Sequence, residues 1–265
     1  MKMRIEVGLL FALVIALGSR GASAEEVMTP VRAWDSPSAF GNKVTLSISG
    51  GSYLPQIDSD STLHGQTPYA NTFGQNGASP RMLFFQLEAD RYLFRKYGSL
   101  GIGFTVAYGE KYAQAQVQGN DPAILIPSTN TKTSLQVIPL KLAAVYRLDY
   151  AALRWGFPIV PFGRVGVVYI PWMAKVGGTT EAVSAVGVAG NTGTGGGGRF
   201  GLNVAGGVSL MLDFLDPRLS RDFDVDLGVK HSYLFWEYTT DRVRMGGSGL
   251  NLSSATHLFG LAMDF

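Results

Sequence analysis

The amino-acid sequence predicts an all-β protein, a closed antiparallel up-and-down transmembrane β-barrel of eight strands, with ten strands as the alternative. Three observations predict this fold. Apolar residues alternate with polar or small residues over segments longer than soluble strands. Long and short connections alternate along the chain. After residue 24, no apolar run reaches the length of a membrane-spanning helix.

Composition narrows the classes of protein that need to be considered. The chain has 265 residues, of which 46% are hydrophobic and 16% are charged, so it has enough apolar surface to fold and is not intrinsically disordered. It contains no cysteine. Disulfide frameworks, thiolate metal sites, cysteine nucleophiles and lipid-modified cysteines are therefore excluded.

The first 24 residues have the pattern of a cleaved secretory signal peptide. A short basic start precedes an apolar run over 7–17, and small residues in an A-x-A pattern end at Ala24. The segment 1–24 also contains three basic residues and one acidic residue, so its removal leaves 19 basic and 19 acidic residues. This balance predicts no nucleic-acid partner. We expect 25–42 to be an N-terminal periplasmic segment and 43–265 to form the barrel.

Eight segments show period-two alternation, and each is predicted to be one barrel strand. In every segment one set of alternate positions is bulky and apolar, while the other is small, glycine-rich or charged. A narrow eight-stranded barrel accommodates small residues inside, which directs the bulky set toward lipid. An exported soluble β-sandwich is the alternative. The strands are predicted to be roughly ten to fifteen residues long, and their alternating positions lie at 44–49, 83–90, 100–109, 138–147, 164–169, 202–212, 224–235 and 255–265.

The connections alternate in length, as they do in outer-membrane barrels with short periplasmic turns and long extracellular loops. The four long ones follow the first, third, fifth and seventh strands, at 54–80, 111–132, 174–199 and 239–253. Both ends of the barrel chain then lie on the periplasmic side. Pro139 and Pro161 fall within predicted strands, where each removes a backbone donor, and we expect β-bulges at both positions.

The C-terminal segment carries a resemblance to a known class of proteins. Residues 258–265, Leu-Phe-Gly-Leu-Ala-Met-Asp-Phe, resemble the last strand of small bacterial outer-membrane β-barrels, porin-like proteins of the OmpX and OmpW kind. Segments 138–149 and 159–166 are similar to middle strands of such barrels. The resemblance implies an outer-membrane location and contact with membrane lipids and lipopolysaccharide. It also implies assembly through Phe265 by periplasmic chaperones and the barrel-assembly machinery, and a monomer.

Charged residues on the predicted inner faces form the candidate site. Burying unpaired charge is costly, so these side chains are expected to pair across the lumen and to fill it. A proton-selective or ion-selective path is the alternative. The predicted lumen network contains Glu88, Asp90, Lys141, Arg147, Arg164, Asp224, Asp226, Lys230 and Asp264.

No catalytic, cofactor-binding or metal-binding residues are predicted. His231 and Ser232 are adjacent in a strand and so point to opposite faces, and the glycine run at 193–198 lacks the Lys-Ser/Thr of a phosphate loop. Three functions remain. The first is a structural or surface-interaction barrel with a largely plugged lumen and four long extracellular loops. The second is a small passive channel or lateral transporter for small or apolar molecules. The third is a lipid-modifying barrel enzyme, which the absence of a recognisable triad disfavours.

Overall fold

The computed structural model of the chain describes ten segments of the sequence. They are residues 44–60, 63–95, 97–118, 125–176, 183–184, 192–193, 195–213, 215, 223–245 and 250–265. The predicted signal peptide and the predicted periplasmic segment lie outside the described residues. Within the described residues, no helix is long and apolar enough to cross a membrane.

Strands dominate the described chain, and between them lie two short α-helices, two single 3-10 turns and a further helical turn at 223–227. The helices are α1 (Pro68–Phe73) and α2 (Tyr150–Trp155), and the 3-10 turns are Ile57–Ser59 and Gln75–Gly77. The strands are β1 (Val44–Tyr53), β2 (Met82–Arg95), β3 (Ser99–Gln118), β4 (Leu125–Val137), β5 (Leu140–Arg147), β6 (Ile159–Val176), β7 (Val183–Ser184), β8 (Thr192–Gly193), β9 (Gly196–Met211), β10 (His231–Met245) and β11 (Ser254–Asp264).

The main sheet closes on itself as a ring of eight antiparallel strands. Around the ring the order is β1, β2, β3, then β4 and β5 together in one position, then β6, β9, β10 and β11. The ring closes because β11 pairs with β1. β4 and β5 count as one strand because both pair with β3 on one side and β6 on the other. β7 and β8 form a separate small hairpin in the connection between β6 and β9. The predicted eight-stranded barrel is confirmed, and ten strands are not needed.

The two prolines within predicted strands behave differently. The backbone between β4 and β5 leaves regular pairing at Ile138 and Pro139, as expected from the missing donor. The expected bulge at Pro161 is wrong, since β6 pairs with β9 without interruption there. The Pro161 carbonyl accepts the Leu148 N–H, 2.8 Å away, just beyond the end of β5. The nitrogen and the carbonyl of a strand residue face the same side, so the Pro161 nitrogen also faces the region beyond the end of β5. The N–H that proline lacks is therefore not needed for the pairing of β6 with β9.

Alternate residues of the strands point to opposite sides of the barrel wall. In β2, Phe84, Gln86 and Glu88 are buried, whereas Leu83 and Phe85 are 64% and 52% exposed. The same alternation continues around the ring, with outward Ile102, Leu142, Val167, Val204, Leu234 and Phe259 all exposed. A continuous outward belt of large apolar side chains is stable in lipid rather than in water. The predicted direction of the bulky faces is therefore confirmed for seven of the eight strands.

β10 is the exception to the predicted facing. The predicted strand began at residue 224 and directed Tyr233 and Phe235 toward lipid, but both side chains are buried inside the barrel. Residues 223–227 are instead helical and exposed, and Gly228 turns the chain with a φ of +70° before β10 begins at His231. The connection between β9 and β10 is therefore much longer than the short turn that the sequence predicted there.

Candidate functional site

One arginine at the centre of the lumen binds three carboxylates. Arg164 projects inward from β6, and both its terminal nitrogens contact Asp90 of β2, with Nη2 2.9 Å from Oδ2 and Nη1 3.3 Å from Oδ1. Nη2 also pairs with Glu88 of β2, and Nε lies 3.4 Å from Oε2 of Glu237 on β10. The planar guanidinium suits this arrangement because its five donors can serve several acceptors at once. The cluster joins three strands across the interior.

Two further ion pairs lie on either side of this cluster. Lys141 of β5 pairs with Asp241 of β10 at 3.0 Å, and both side chains are at least 96% buried. Arg147 of β5 pairs with Asp264 of β11 at 3.0 Å, and its guanidinium lies 4.1 Å from the centre of the Tyr233 ring. The Arg147 guanidinium therefore contacts a carboxylate and the face of an aromatic ring at the same time. Both pairs join strands that are not neighbours in the ring.

Neutral donors add hydrogen bonds to three of the carboxylates, whereas among the described residues Oε2 of Glu237 has no hydrogen-bond partner. The five acids outnumber the three cations of these pairs, so hydroxyl and amide groups supply the remaining donors. Asp264 accepts from the hydroxyls of Thr45 and Tyr233 at 2.5 and 3.2 Å. Asp241 accepts from Asn203 Nδ2 at 2.6 Å, and Glu88 accepts from nearby hydroxyls at 3.1 and 3.2 Å. A buried carboxylate bound in this way avoids the cost of an unpaired charge.

Apolar clusters lie at the two ends of the charged region. At the loop end, strand residues such as Phe84 and Val137 pack with Ile57 and Leu252, which come from the β1–β2 and β10–β11 connections. At the end where β1 begins and β11 ends, Ala152 of α2 packs against Val160, Tyr233, Phe235 and Ala262. Both clusters consist of buried side chains. The charged groups thus lie between two apolar layers.

A small cavity lies beside the ion pairs. Its volume is about 20 Å³, and its lining includes Arg147, Arg164, Asp90, Tyr92 and Ser209. A cavity of roughly 10–15 Å³ on this measure holds one water molecule. The space therefore suits a water molecule or two among the polar groups and is far smaller than an aqueous pore.

The structure brings together six of the nine predicted lumen residues. Glu88, Asp90, Lys141, Arg147, Arg164 and Asp264 all point inward and take part in the ion pairs. The prediction was wrong for Asp224, Asp226 and Lys230, which are exposed in the β9–β10 connection. A two-residue period does not apply here, because 223–227 form a helical turn and 228–230 have no regular structure. These three residues contribute nothing to the lumen.

Two lumen acids, Glu237 and Asp241, were not among the predicted residues. Both lie in β10, and both are 2% exposed. The sequence carries a signal for Glu237, which lies between Trp236 and Tyr238, two residues that suit the lipid face. An acid in mid-strand of a membrane barrel belongs in the lumen, since the lipid face disfavours charge. That rule alone would have set the correct facing of β10.

The three histidines lie apart from one another. His231, at the start of β10, has Nδ1 2.5 Å from Oδ2 of Asp213, and the same carboxylate accepts the Ser232 N–H at 3.1 Å. His257 lies on the outer face of β11, and His64 is exposed in the β1–β2 connection. Among the described residues, no group of three or more His, Asp or Glu side chains has the arrangement of a metal site.

Comparisons with known proteins give similarity of structure only. No protein-family model matches the chain, and no curated protein matches it in sequence. Neisserial surface protein A is 13% identical over 85% of this chain and 97% of its own, with a TM-score of 0.44. Ail of Yersinia pestis, solved with the heparin analogue sucrose octasulfate, is 10% identical over 84% and 99%, with a TM-score of 0.43. The outer membrane protease OmpT of Escherichia coli is 9% identical over 85% and 97%, with a TM-score of 0.35.

The closed ring and its apolar belt are those of an outer-membrane β-barrel. All eight strands run antiparallel, the exterior is apolar around the ring, and the interior is polar and charged. This combination is typical of barrels in bacterial outer membranes. The predicted class and the predicted outer-membrane location are confirmed.

Proposed function

We propose that this protein is a non-conducting outer-membrane barrel that acts through its extracellular surface. The observation that carries the proposal is the Arg164 cluster, which occupies the centre of the lumen with Glu88, Asp90 and Glu237. Ions cannot follow a path through side chains that bind one another directly. An eight-stranded barrel has an interior just wide enough for such side chains to fill.

The apolar layers support the same proposal. An ion that entered from either end would first have to cross closely packed side chains, such as Tyr53 and Leu258 at the loop end or Phe235 at the other. Removing the hydration shell of an ion costs far more than such packing returns. A passive channel would need a continuous water path, whereas the charged region offers a cavity of about 20 Å³.

An ordered loop platform supports a role at the cell surface. The Tyr53 hydroxyl donates to the Leu252 carbonyl at 2.6 Å, and the Gln56 N–H donates to the Ser253 carbonyl at 2.9 Å. These bonds join the β1–β2 and β10–β11 connections. The Asp58 carboxylate accepts the first N–H groups of α1 at 2.7 and 2.8 Å, and burial, together with the nearby Asp58 charge, raises the pKa of the Tyr69 phenol. A fixed surface of this kind is better suited to binding a partner than to opening and closing as a gate.

We also propose that His231 and Ser232 do not form a serine–histidine catalytic pair. Nδ1 of His231 is engaged by Asp213 at the periplasmic end of the barrel, and the neighbouring Ser232 binds the same carboxylate through its backbone. A serine relay needs the hydroxyl within hydrogen-bond reach of the other ring nitrogen. Adjacent residues of one strand point to opposite sides of the wall, which keeps the Ser232 hydroxyl away from the His231 ring.

Planar-bilayer recording of the refolded full-length barrel tests the proposal. We expect no discrete conductance steps in a salt solution at neutral pH. The control is a triple variant, Arg164→Ala, Glu88→Ala and Glu237→Ala, which empties the centre of the lumen and should show intermittent currents if it folds. Stable conductance steps from the unmodified protein, with an ion selectivity that changes in Arg164→Gln, would overturn the proposal in favour of a channel.

A further inference from the structure

The Arg164 cluster contains more negative charge than its one cation can balance. Glu88, Asp90 and Glu237 all lie beside the Arg164 guanidinium, so three carboxylates share a single positive charge. The two neighbouring ion pairs add no net charge, because each joins one acid to one cation. If every group were ionised, the cluster would therefore hold two negative charges in excess. Such an excess is costly in a region that apolar layers separate from water.

Two of the three carboxylates accept hydrogen bonds at both oxygens. The Arg164 guanidinium donates to both oxygens of Asp90, at 2.9 and 3.3 Å. Glu88 accepts the Ser47 hydroxyl at Oε1, 3.1 Å away, and the Thr105 hydroxyl at Oε2, 3.2 Å away. Hydrogen bonds donated to a carboxylate stabilise its ionised form. Both of these acids are therefore suited to remain ionised.

Glu237 differs from the other two acids because one of its oxygens has no donor. Its Oε2 lies 3.4 Å from Nε of Arg164, but the two atoms are not hydrogen-bonded, and neither has a hydrogen-bond partner among the described residues. The Glu237 side chain is buried. A buried carboxylate oxygen without a donor is costly when ionised, and repulsion from two ionised neighbours on the same guanidinium adds to that cost. The neutral carboxylic acid avoids both costs.

We propose that the Arg164 cluster is a binding site for one proton, which Glu237 carries on Oε2 at neutral pH. The proton is taken up from water, and it reduces the excess negative charge of the cluster from two to one. The proposal rests on the sealed lumen of the proposed function, because water in contact with Glu237 would stabilise the ionised form instead. The other charged or titratable side chains buried in the lumen around the cluster are Tyr92 of β2, Lys141 and Arg147 of β5, Tyr233 and Asp241 of β10, and Asp264 of β11.

Infrared spectroscopy of the refolded full-length barrel in lipid vesicles tests the proton site. Exposed carboxyl groups are ionised at neutral pH, so the C=O stretching band of a neutral carboxylic acid reports a buried, protonated group. We expect a band equivalent to one carboxyl group per barrel in the unmodified protein, and loss of this band in Glu237→Gln. Isotope-labelled glutamate should shift the band, whereas labelled aspartate should not, and this measurement does not depend on the folding of a variant.

Glu110→Gln is the matched control. Glu110 lies outside the lumen on β3, where it accepts a hydrogen bond from the Tyr108 hydroxyl, so its replacement should leave the band unchanged. Absence of the band from an unmodified, non-conducting barrel would overturn the proton site alone. A band that shifts with labelled aspartate would overturn the assignment to Glu237. Conductance steps from an unmodified barrel that keeps the band would overturn only the sealed lumen.

The pH dependence of urea unfolding gives a second test. The folded barrel binds one proton more than the unfolded chain at neutral pH, so its stability decreases as rising pH removes that proton. The unfolding midpoint of the unmodified protein should therefore fall between neutral pH and about pH 9, below the ordinary titration of tyrosine and lysine. Glu237→Gln, whose amide carries no charge, should show a smaller fall. Parallel decreases in the two proteins would contradict the assignment of the proton to Glu237.

Discussion

Arg164→Ala is the variant that most directly probes the lumen. The change removes the guanidinium that Asp90, Glu88 and Glu237 share, and it leaves three carboxylates that are at least 96% buried without their cation. Breaking a buried ion pair by removing one partner costs about 3–5 kcal/mol. Because three acids lose a partner here, we expect the loss in the free energy of unfolding to lie toward the upper end of that range.

Urea unfolding of the barrel in lipid vesicles measures this loss. Tryptophan fluorescence follows the transition, and the shifted band of the folded barrel on unheated gels verifies the folded end point. Arg91→Ala, which removes an exposed outward cation of β2, is the control and should leave the midpoint unchanged. An unfolding midpoint for Arg164→Ala equal to that of the unmodified protein would refute the reasoning, because it would mean that water already solvates the lumen charges.

A double-mutant cycle identifies the partner that matters most. Asp90 makes the two-pronged contact with Arg164, so Asp90→Asn should cost less in the Arg164→Ala background than in the unmodified protein. A coupling free energy of about 0.5–3 kcal/mol is typical of groups in direct contact. Additive losses would contradict the observed pairing, even if each single change were destabilising.

Three further tests, with five substitutions between them, probe the facing of the wall and the locking of the loops. Leu140→Arg places a cation on the lipid face and should lower the free energy of unfolding by about 2–4 kcal/mol. Leu227→Arg, in the exposed β9–β10 connection, should leave urea unfolding unchanged. A larger loss for Leu227→Arg than for Leu140→Arg would contradict the register. Gly206→Ala should be tolerated, since its Cβ would lie 3.8 Å from the nearest atom, while Gly207→Ala would overlap a backbone oxygen of β10 and should lower the yield of folded barrel on unheated gels. Tyr53→Phe removes the hydroxyl bond to the β10–β11 connection and should cost about 0.5–1.5 kcal/mol, with faster hydrogen exchange in that connection; unchanged exchange would show that the bond does not hold the loops together.

The sequence predicts the barrel well because lipid and lumen impose opposite demands on alternate residues. In β2, Leu83 and Phe85 could only face lipid and Glu88 and Asp90 could only face the lumen, so the strand had one consistent orientation. The partners of those acids were beyond prediction. Arg164 meets Asp90 across the interior rather than along a ladder, and such a contact depends on the closure and stagger of the whole ring.

The loop platform was beyond prediction for a related reason. Ile57 and Leu252 pack inside the mouth of the barrel, although both fall in segments that read as polar surface connections. Period-two alternation carries no information on a segment without regular structure. Their burial depends on the distance between two connections that are far apart in the chain and adjacent only because β11 pairs with β1.

The error in β10 shows which residues should set the facing of a barrel strand. Bulky aromatic residues are weak indicators, because Phe235 fits inside the lumen where Gly260 of β11 lies opposite it; a Cβ on that glycine would lie 2.8 Å from the Phe235 ring. Small residues on a neighbouring strand thus make room for a large one. A charged side chain differs, because no change in a neighbouring residue makes the lipid face favourable for a carboxylate. Glu237, midway along β10, fixes the orientation of the strand on its own, and that orientation places Trp236 and Tyr238 outward and completes the Arg164 site within.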